Sequence, residues 1–111
     1  MHPTQVAESY FASVRARNID NFTALFAEDA VFVKPDGHEL SGLAAIREME
    51  LGVFNSSSPP APSPTAMVVG DSAIAVEIDV HLPDGTVRRV ANFFSLDAEG
   101  RIKRVSVYRK G

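Results

Sequence analysis

The sequence predicts an α+β fold in which three N-terminal helices pack on one face of a curved, mainly antiparallel sheet, giving a cone-shaped single domain over residues 1–111. Three observations carry this. Apolar residues recur at helical spacing in the first half of the chain. From Thr65 onward every segment reads as strand or turn, and Ile74 to Leu82 alternates cleanly between apolar and other residues. The turns are marked by Pro35-Asp36-Gly37, Pro83-Asp84-Gly85 and Asp97-Ala98-Glu99-Gly100.

Taken in order, residues 4–18 form the first helix. Thr4 is its expected N-cap, and Val6, Ala7, Tyr10, Phe11 and Val14 lie on one face. Tyr10 is the odd member of that stripe, because a buried phenol must find a hydrogen-bond partner. Asp20 is expected to cap a second helix with Phe22, Leu25 and Phe26 on its buried face, ending at Glu28-Asp29. Ala30 to Lys34 is then strand, since Val31, Phe32 and Val33 are β-branched and aromatic. Lys34 is its last residue, held between the helix and the Pro35 turn. Glu39-Leu40 is a short strand, and Ser41 or Gly42 opens a third helix from Leu43 to about Phe54. Its face is mixed: Leu43, Ile46, Met49 or Glu50, and Val53. Asn55 to Pro64, with four prolines and four serines, reads as a loop, either a mobile flap near the end of the sheet or a variable connection. Met67–Val69, Ile74–Leu82, Thr86–Leu96 and Arg101–Arg109 are the strands of the meander.

Composition excludes several classes. An apolar fraction of 45% and a charged fraction of 23% are those of an ordinary globular domain. A net charge of −3 argues against a nucleic-acid binder. The densest basic group, Arg101, Lys103, Arg104, Arg109 and Lys110, reads as a solvated edge of the sheet. With no cysteine there is neither a disulfide nor a thiolate metal site. His2, His38 and His81 are dispersed, so no metal is expected. No apolar run is long enough to span a membrane, and the first residues lack the regions of a signal peptide, so no membrane association is expected and a cytoplasmic location is the default. Phosphate-loop, dinucleotide-fold and Ser-His-Asp signatures are absent, and no cofactor is expected.

The order of elements, together with Tyr10-Phe11, Leu25 to Phe32, Pro35-Asp36-Gly37, Gly42 with Ala45-Ile46, and Asp97 to Ile102, resembles the SnoaL-like branch of the nuclear transport factor 2-like superfamily, whose cystatin-like cone is shared by ketosteroid isomerases and polyketide cyclases. The resemblance covers nearly the whole chain. It implies the fold far more strongly than a reaction, because the superfamily holds isomerases, dehydratases, cyclases, hydrolases and domains without known chemistry. Compared with the isomerases, the oxyanion-hole tyrosine falls on Tyr10. The general-base aspartate falls on Lys34. The second oxyanion donor, a carboxyl kept protonated, falls on Asn92, whose amide can still donate. Lys34 removes the carboxylate base, so steroid isomerisation by that mechanism is not expected.

The candidate site is therefore Tyr10, Lys34 and Asn92, with Asp36, Asp79 and His81 as reserve bases. Lys34 has three readings: a snorkelling lysine, a cationic anchor for a carboxylate or enolate, or a desolvated amine acting as base or nucleophile. Asp79 and His81, two apart on a strand, can form an oriented His base if their face lines the cavity. A gapless comparison from Gly85 turns Glu77, Asp79 and His81 inward. One extra residue in the hairpin turns Ile74, Val76, Ile78, Val80 and Leu82 inward instead. The second register is preferred, because an apolar row facing the helices needs no compensation.

Phe26, Phe32, Val90, Phe94, Val105, Val107 and Arg109 are the expected ligand-binding wall. Ala91, Phe93 and Tyr108 then face away from the helices, which, with the superfamily's habit of pairing sheet to sheet, implies a homodimer. Two functions fit. One is a cofactor-independent isomerase, cyclase or dehydratase moving a proton on a small apolar carbonyl or carboxylate compound. The other is a non-catalytic ligand-binding or dimerisation domain.

Overall fold

A computed structural model describes residues 2–56 and 61–109. Three helices, α1 (Pro3–Ala16), α2 (Ile19–Thr23) and α3 (Leu43–Phe54), pack on a mixed sheet of six strands. The strands are β1 (Phe26–Val33), β2 (Glu39–Ser41), β3 (Ala61–Val69), β4 (Ala73–His81), β5 (Val87–Leu96) and β6 (Ile102–Arg109). Their order is β2-β1-β6-β5-β4-β3; only the β1–β6 contact is parallel. The basic C-terminal strand is therefore internal to the sheet, not an edge. Lys103 and Arg104 are exposed above it, and Lys110 lies outside the described residues.

Both helix starts differ from expectation by two residues. His2, not Thr4, caps α1: its Nδ1 accepts the Thr4 N–H at 3.1 Å, while its own N–H donates to Gln5 Oε1 at 3.0 Å. Pro3 occupies the first helical position, where its missing N–H costs nothing. Asn18, not Asp20, caps α2 by accepting the Asn21 N–H at 3.1 Å. Asp20 instead faces Arg47 at 3.3 Å on the surface.

The α2 helix also stops early, at Thr23, so Phe26–Asp29 belong to β1 rather than to a helix. The Thr23 hydroxyl bonds back to the Ile19 carbonyl at 3.0 Å, a local bond that competes with helix propagation. Leu25 then offers its carbonyl to the Ile102 N–H at 2.8 Å and hands the chain to β6. Between Phe26 and Val31 the ladder slips. β1 ends at Val33, one residue before Lys34, and the turn closes through Lys34 N–H to His38 C=O at 2.9 Å. Gly37 and Gly42 hold φ of 89° and 93°, values open to glycine; the second lets the chain turn from β2 into α3.

The proline-rich segment is only partly a loop. Residues 57–60 lie outside the described structure, but from Ala61 the chain is strand, with Pro62 and Pro64 inside it. Prolines survive there because β3 is an edge strand whose outer N–H groups need no partner. The Arg15 guanidinium donates to the Pro62 carbonyl at 3.1 Å and ties α1 to this edge.

On β4 the apolar row faces the helices: Ile74, Val76 and Ile78 are buried, whereas Glu77 and His81 are exposed. The register with Val76 opposite Asn92, and Asn92 opposite Val107, carries the same alternation through β5 and β6. The core is an aromatic cluster. Tyr10 has ring centroids of Phe11 and Phe94 at 5.0 Å and of Phe22 at 5.1 Å, and Phe26 and Phe54 complete it around Phe22. The adjacent Phe93, 51% exposed, points the other way, beside Tyr108 at 61%. Phe94→Ala is expected to lower the unfolding free energy by about 3–5 kcal/mol. Phe93→Ala is expected to lower it by less than about 1 kcal/mol. Urea denaturation of both variants at low protein concentration checks the pair.

Candidate functional site

Beside the aromatic cluster the helices and sheet do not close completely. They leave a cavity of about 310 Å³, at the small end of the range for small-molecule sites. α1 contributes Tyr10, Phe11 and Val14; α3 contributes Met49, Glu50 and Val53; the sheet contributes Phe32, Ile78, Val80, Val90, Asn92 and Val107. Lys34 and Pro35 enter from the β1 turn, and Arg88 and Arg109, both exposed, from β5 and β6. The wall is mostly apolar, with a few polar groups.

Tyr10, Lys34 and Asn92 thus line one cavity. Tyr10 is 5% exposed, with its ring in the core and its phenol at the pocket. Burial, first, and then the nearby Glu50 carboxylate push its pKa well above the ordinary 10; the Asn92 amide, as a hydrogen-bond partner, pulls the other way but loses. The phenol is therefore a neutral O–H donor at any physiological pH. Asn92 is 4% exposed, and its Oδ1 has no hydrogen-bond partner among the described residues. A buried, unpaired amide oxygen costs about 1–3 kcal/mol, which a donor arriving with a ligand would recover. Lys34 is half-buried and joins no ion pair within 4.0 Å among the described residues.

The sequence reading missed Glu50. On α3 the buried residues are Ile46, Glu50 and Phe54, spaced by four, with Met49 and Val53 packed or lining alongside. A carboxyl stands in the middle of that apolar stripe, 6% exposed, and it is the one carboxyl among the cavity's lining residues. Burial alone raises its pKa from the ordinary 4.5 to about 7. The signal was in the sequence: Glu50 sits at a core position between Ile46 and Phe54, where an apolar residue would pack without cost.

The other expected site residues divide. Phe32, Val90, Val107 and Arg109 line the cavity; Phe26, Phe94 and Val105 are buried in the core and are not among its lining residues. None of the reserve bases lines it. Asp36 accepts the His38 N–H at 2.9 Å within its turn, Asp79 faces Arg89 at 3.7 Å, and His81 is exposed. Among the described residues, no group of three or more His, Cys, Asp or Glu is placed to hold a metal, and no helix is long and apolar enough to cross a membrane.

Residues 7–105 match the family model described as the SnoaL-like domain. The fold is similar to that of a Pseudomonas putida protein provisionally named a polyketide cyclase (22% identity, TM-score 0.87, 99% of this chain and 92% of that one). It is also similar to a Kribbella flavida protein provisionally named a ketosteroid isomerase (20%, 0.86, 98% and 78%). The epoxide hydrolase/cyclase-like enzyme SalBIII, which has a role in pyran ring formation in the polyether salinomycin, is similar over 97% of this chain and 90% of its own (20%, 0.82).

Glu50 also sets a pH dependence. At pH below 4.5 its carboxyl is protonated in the folded and unfolded chain alike, so no difference arises. Between 4.5 and about 7 the folded state keeps a proton that the unfolded state releases, so stability falls as pH rises. Above that window the full cost, on the order of 3 kcal/mol, is present. Glu50→Gln removes the ionisable group. Its melting temperature relative to wild type is expected to be higher by roughly 5–15 °C at about pH 8.5 than at about pH 5. Paired thermal melts at the two pH values check this; a pH-independent difference would mean that Glu50 titrates normally.

Proposed function

This chain belongs to the SnoaL-like domain family, and from that premise we propose that it is a cofactor-independent catalyst of proton transfer on a small apolar carbonyl compound, as an isomerase, cyclase or dehydratase. One observation carries the reading: Tyr10, Lys34 and Asn92 come from three separate parts of the chain and line the same largely apolar cavity. A substrate carbonyl oxygen docks against the Tyr10 hydroxyl, and the Asn92 amide lies beside it. As negative charge develops on that oxygen, the neutral phenol donates a hydrogen bond in a site where competing water is scarce. Lys34, Arg88 and Arg109 add positive potential, which favours an enolate or a substrate carboxylate. The apolar walls select an apolar body.

The outer sheet face supports a homodimer. Phe93 and Tyr108 are exposed on neighbouring strands, flanked by the acidic Glu77 and Asp79 and by the basic Arg89 and Arg104. A two-fold pairing through this face covers the aromatics and lets one copy's acidic row meet the other's basic row.

The catalytic reading is tested with a thermal-shift and mass-spectrometric screen of small cyclic ketones, enols and aromatic carboxylates on wild type, Tyr10→Phe, Lys34→Ala and Asn92→Ala. A compound that stabilises wild type is expected to lose most of that effect in each variant. Turnover of the matching substrate is expected to fall about 10²–10³-fold in Tyr10→Phe. If no compound binds and the variants merely melt lower, the domain is a non-catalytic scaffold. For the dimer, Phe93→Glu is expected to shift wild type from two copies to one by sedimentation velocity; a monomeric wild type overturns it.

A further inference from the structure

We infer that Glu50 is the proton-transfer base of this pocket, taking a proton from the carbon beside the ligand's carbonyl while Tyr10 holds the oxygen. This rests on the proton-transfer reading above and supplies the carboxylate base that the cavity's other lining residues do not.

The placement argues for it first. Glu50 lies on the inner face of α3, nine-tenths buried, and lines the same cavity as Tyr10 and Asn92. It is near enough to Tyr10 for its charge to resist formation of the phenolate. A ligand whose carbonyl oxygen meets the phenol therefore shares one cavity with the Glu50 carboxyl. Among the described residues no Lys, Arg or His comes within 4.0 Å of its carboxylate, so it is not half of a buried ion pair. As a scaffold residue it only costs stability, and Leu or Met would fill its place in the stripe between Ile46 and Phe54 without that cost. A residue that breaks the packing pattern and opens on a cavity is the form functional groups take.

The charged and titratable groups that line the cavity with it are, among the described residues, Tyr10 from α1, Lys34 after β1, Arg88 from β5 and Arg109 from β6; β3 and β4 contribute Pro62, Ile78 and Val80. The cations do not offset its burial, which leaves the carboxyl poised near neutrality, where a base is both available and strong enough to act. In the step, a carboxylate oxygen of Glu50 takes the proton. The C–H pair becomes the new C=C bond, and the carbonyl π pair moves to oxygen as an enolate accepting from Tyr10. Glu50, now a carboxylic acid, returns the proton to the same carbon or to one further along the conjugated chain. No oxidant, reductant or metal enters the balance.

The test uses β-tetralone in buffered heavy water, with β-naphthol as a stable mimic of its enol. Wild type is expected to bind β-naphthol and to exchange the ketone's α-protons above the buffer rate, read by NMR. The rate is expected to rise with pH through about 7. Glu50→Gln is expected to lose about 100-fold or more of that exchange while still binding β-naphthol, and Glu50→Asp is expected to keep part of it. Exchange by Glu50→Gln at the wild-type rate, or a pH limb that persists in it, overturns the assignment and leaves the catalytic reading standing. If the variant fails to fold, the wild-type pH limb and Glu50→Asp decide alone, and a flat profile overturns it. Wild type that binds β-naphthol without exchanging the ketone overturns Glu50 as base and leaves a binding pocket. Wild type that does neither overturns both readings.

Discussion

The ring of Tyr10 is the constraint on which the pocket depends. It is gripped by Phe11, Phe22 and Phe94, with centroids near 5 Å, so its position is fixed by packing rather than by its hydroxyl. The geometry of these contacts, edge-to-face with Phe11 and Phe94, has an energetic preference of its own beyond burial. The ring is thereby held beside the cavity by its aromatic neighbours. Two consequences follow. The α1 helix must lie across the sheet at the height of Phe94, and the short α2 must bring Phe22 underneath. The arrangement of the whole helical layer is a condition for one oriented O–H.

Against that rigid donor the other polar groups are held by separate elements. Asn92 shares its strand with Phe94, so the residue that packs on Tyr10 and the residue that meets its hydroxyl are set by a single β register. A slip of one residue would put Phe93 inward and Asn92 outward, destroying core and site together. Glu50 comes from α3, whose start depends on Gly42 and whose stripe is anchored by Ile46 and Phe54. The site is thus a meeting of α1, β5 and α3, which the aromatic cluster joins through Tyr10, Phe94, Phe22 and Phe54. The surrounding core carries an amide oxygen without a hydrogen-bond partner and a buried carboxyl without an ion pair among the described residues.

The helices, the meander and the inward face of β4 were legible because hydrophobic periodicity reports burial directly. Ile74, Val76 and Ile78 carry that signal even where a comparison by register left two answers. What failed was local. The Asp20 cap follows from its carboxylate and the long second helix from the spacing of Phe22, Leu25 and Phe26, but Phe26 is buried by a strand pairing with Ile102, 76 positions away, and no local pattern encodes such a contact. Pro62 and Pro64 read as loop because their tolerance inside a strand is decided by edge position, which is a property of the sheet. Glu50 is visible as a letter but ambiguous as a position: its neighbour Met49 completes nearly the same stripe, and the packing of α3 buries Glu50 more completely than Met49.

A lysine just past the end of β1, rather than a carboxylate, sets the electrostatics of any reaction in this cavity. With the base on α3, proton transfer moves one negative charge from Glu50 to a ligand oxygen, and the net charge of the cavity stays the same. Fixed positive groups accelerate such a step only to the extent that they lie closer to the oxygen than to the carboxylate. Burial alone accounts for the elevated Glu50 pKa, so the cations give its charge little support. Any stabilisation that Lys34, Arg88 or Arg109 gives to an enolate or to a ligand carboxylate is therefore not cancelled by an equal stabilisation of the base. In the proposed reaction a carboxylate at the position of Lys34 would have the opposite effect, repelling the negative charge that develops in the cavity. In the proposed reaction, lysine after β1 and a glutamic acid on α3 that joins no ion pair among the described residues act as one arrangement, in which the acid supplies the charge and the cations of the cavity receive it.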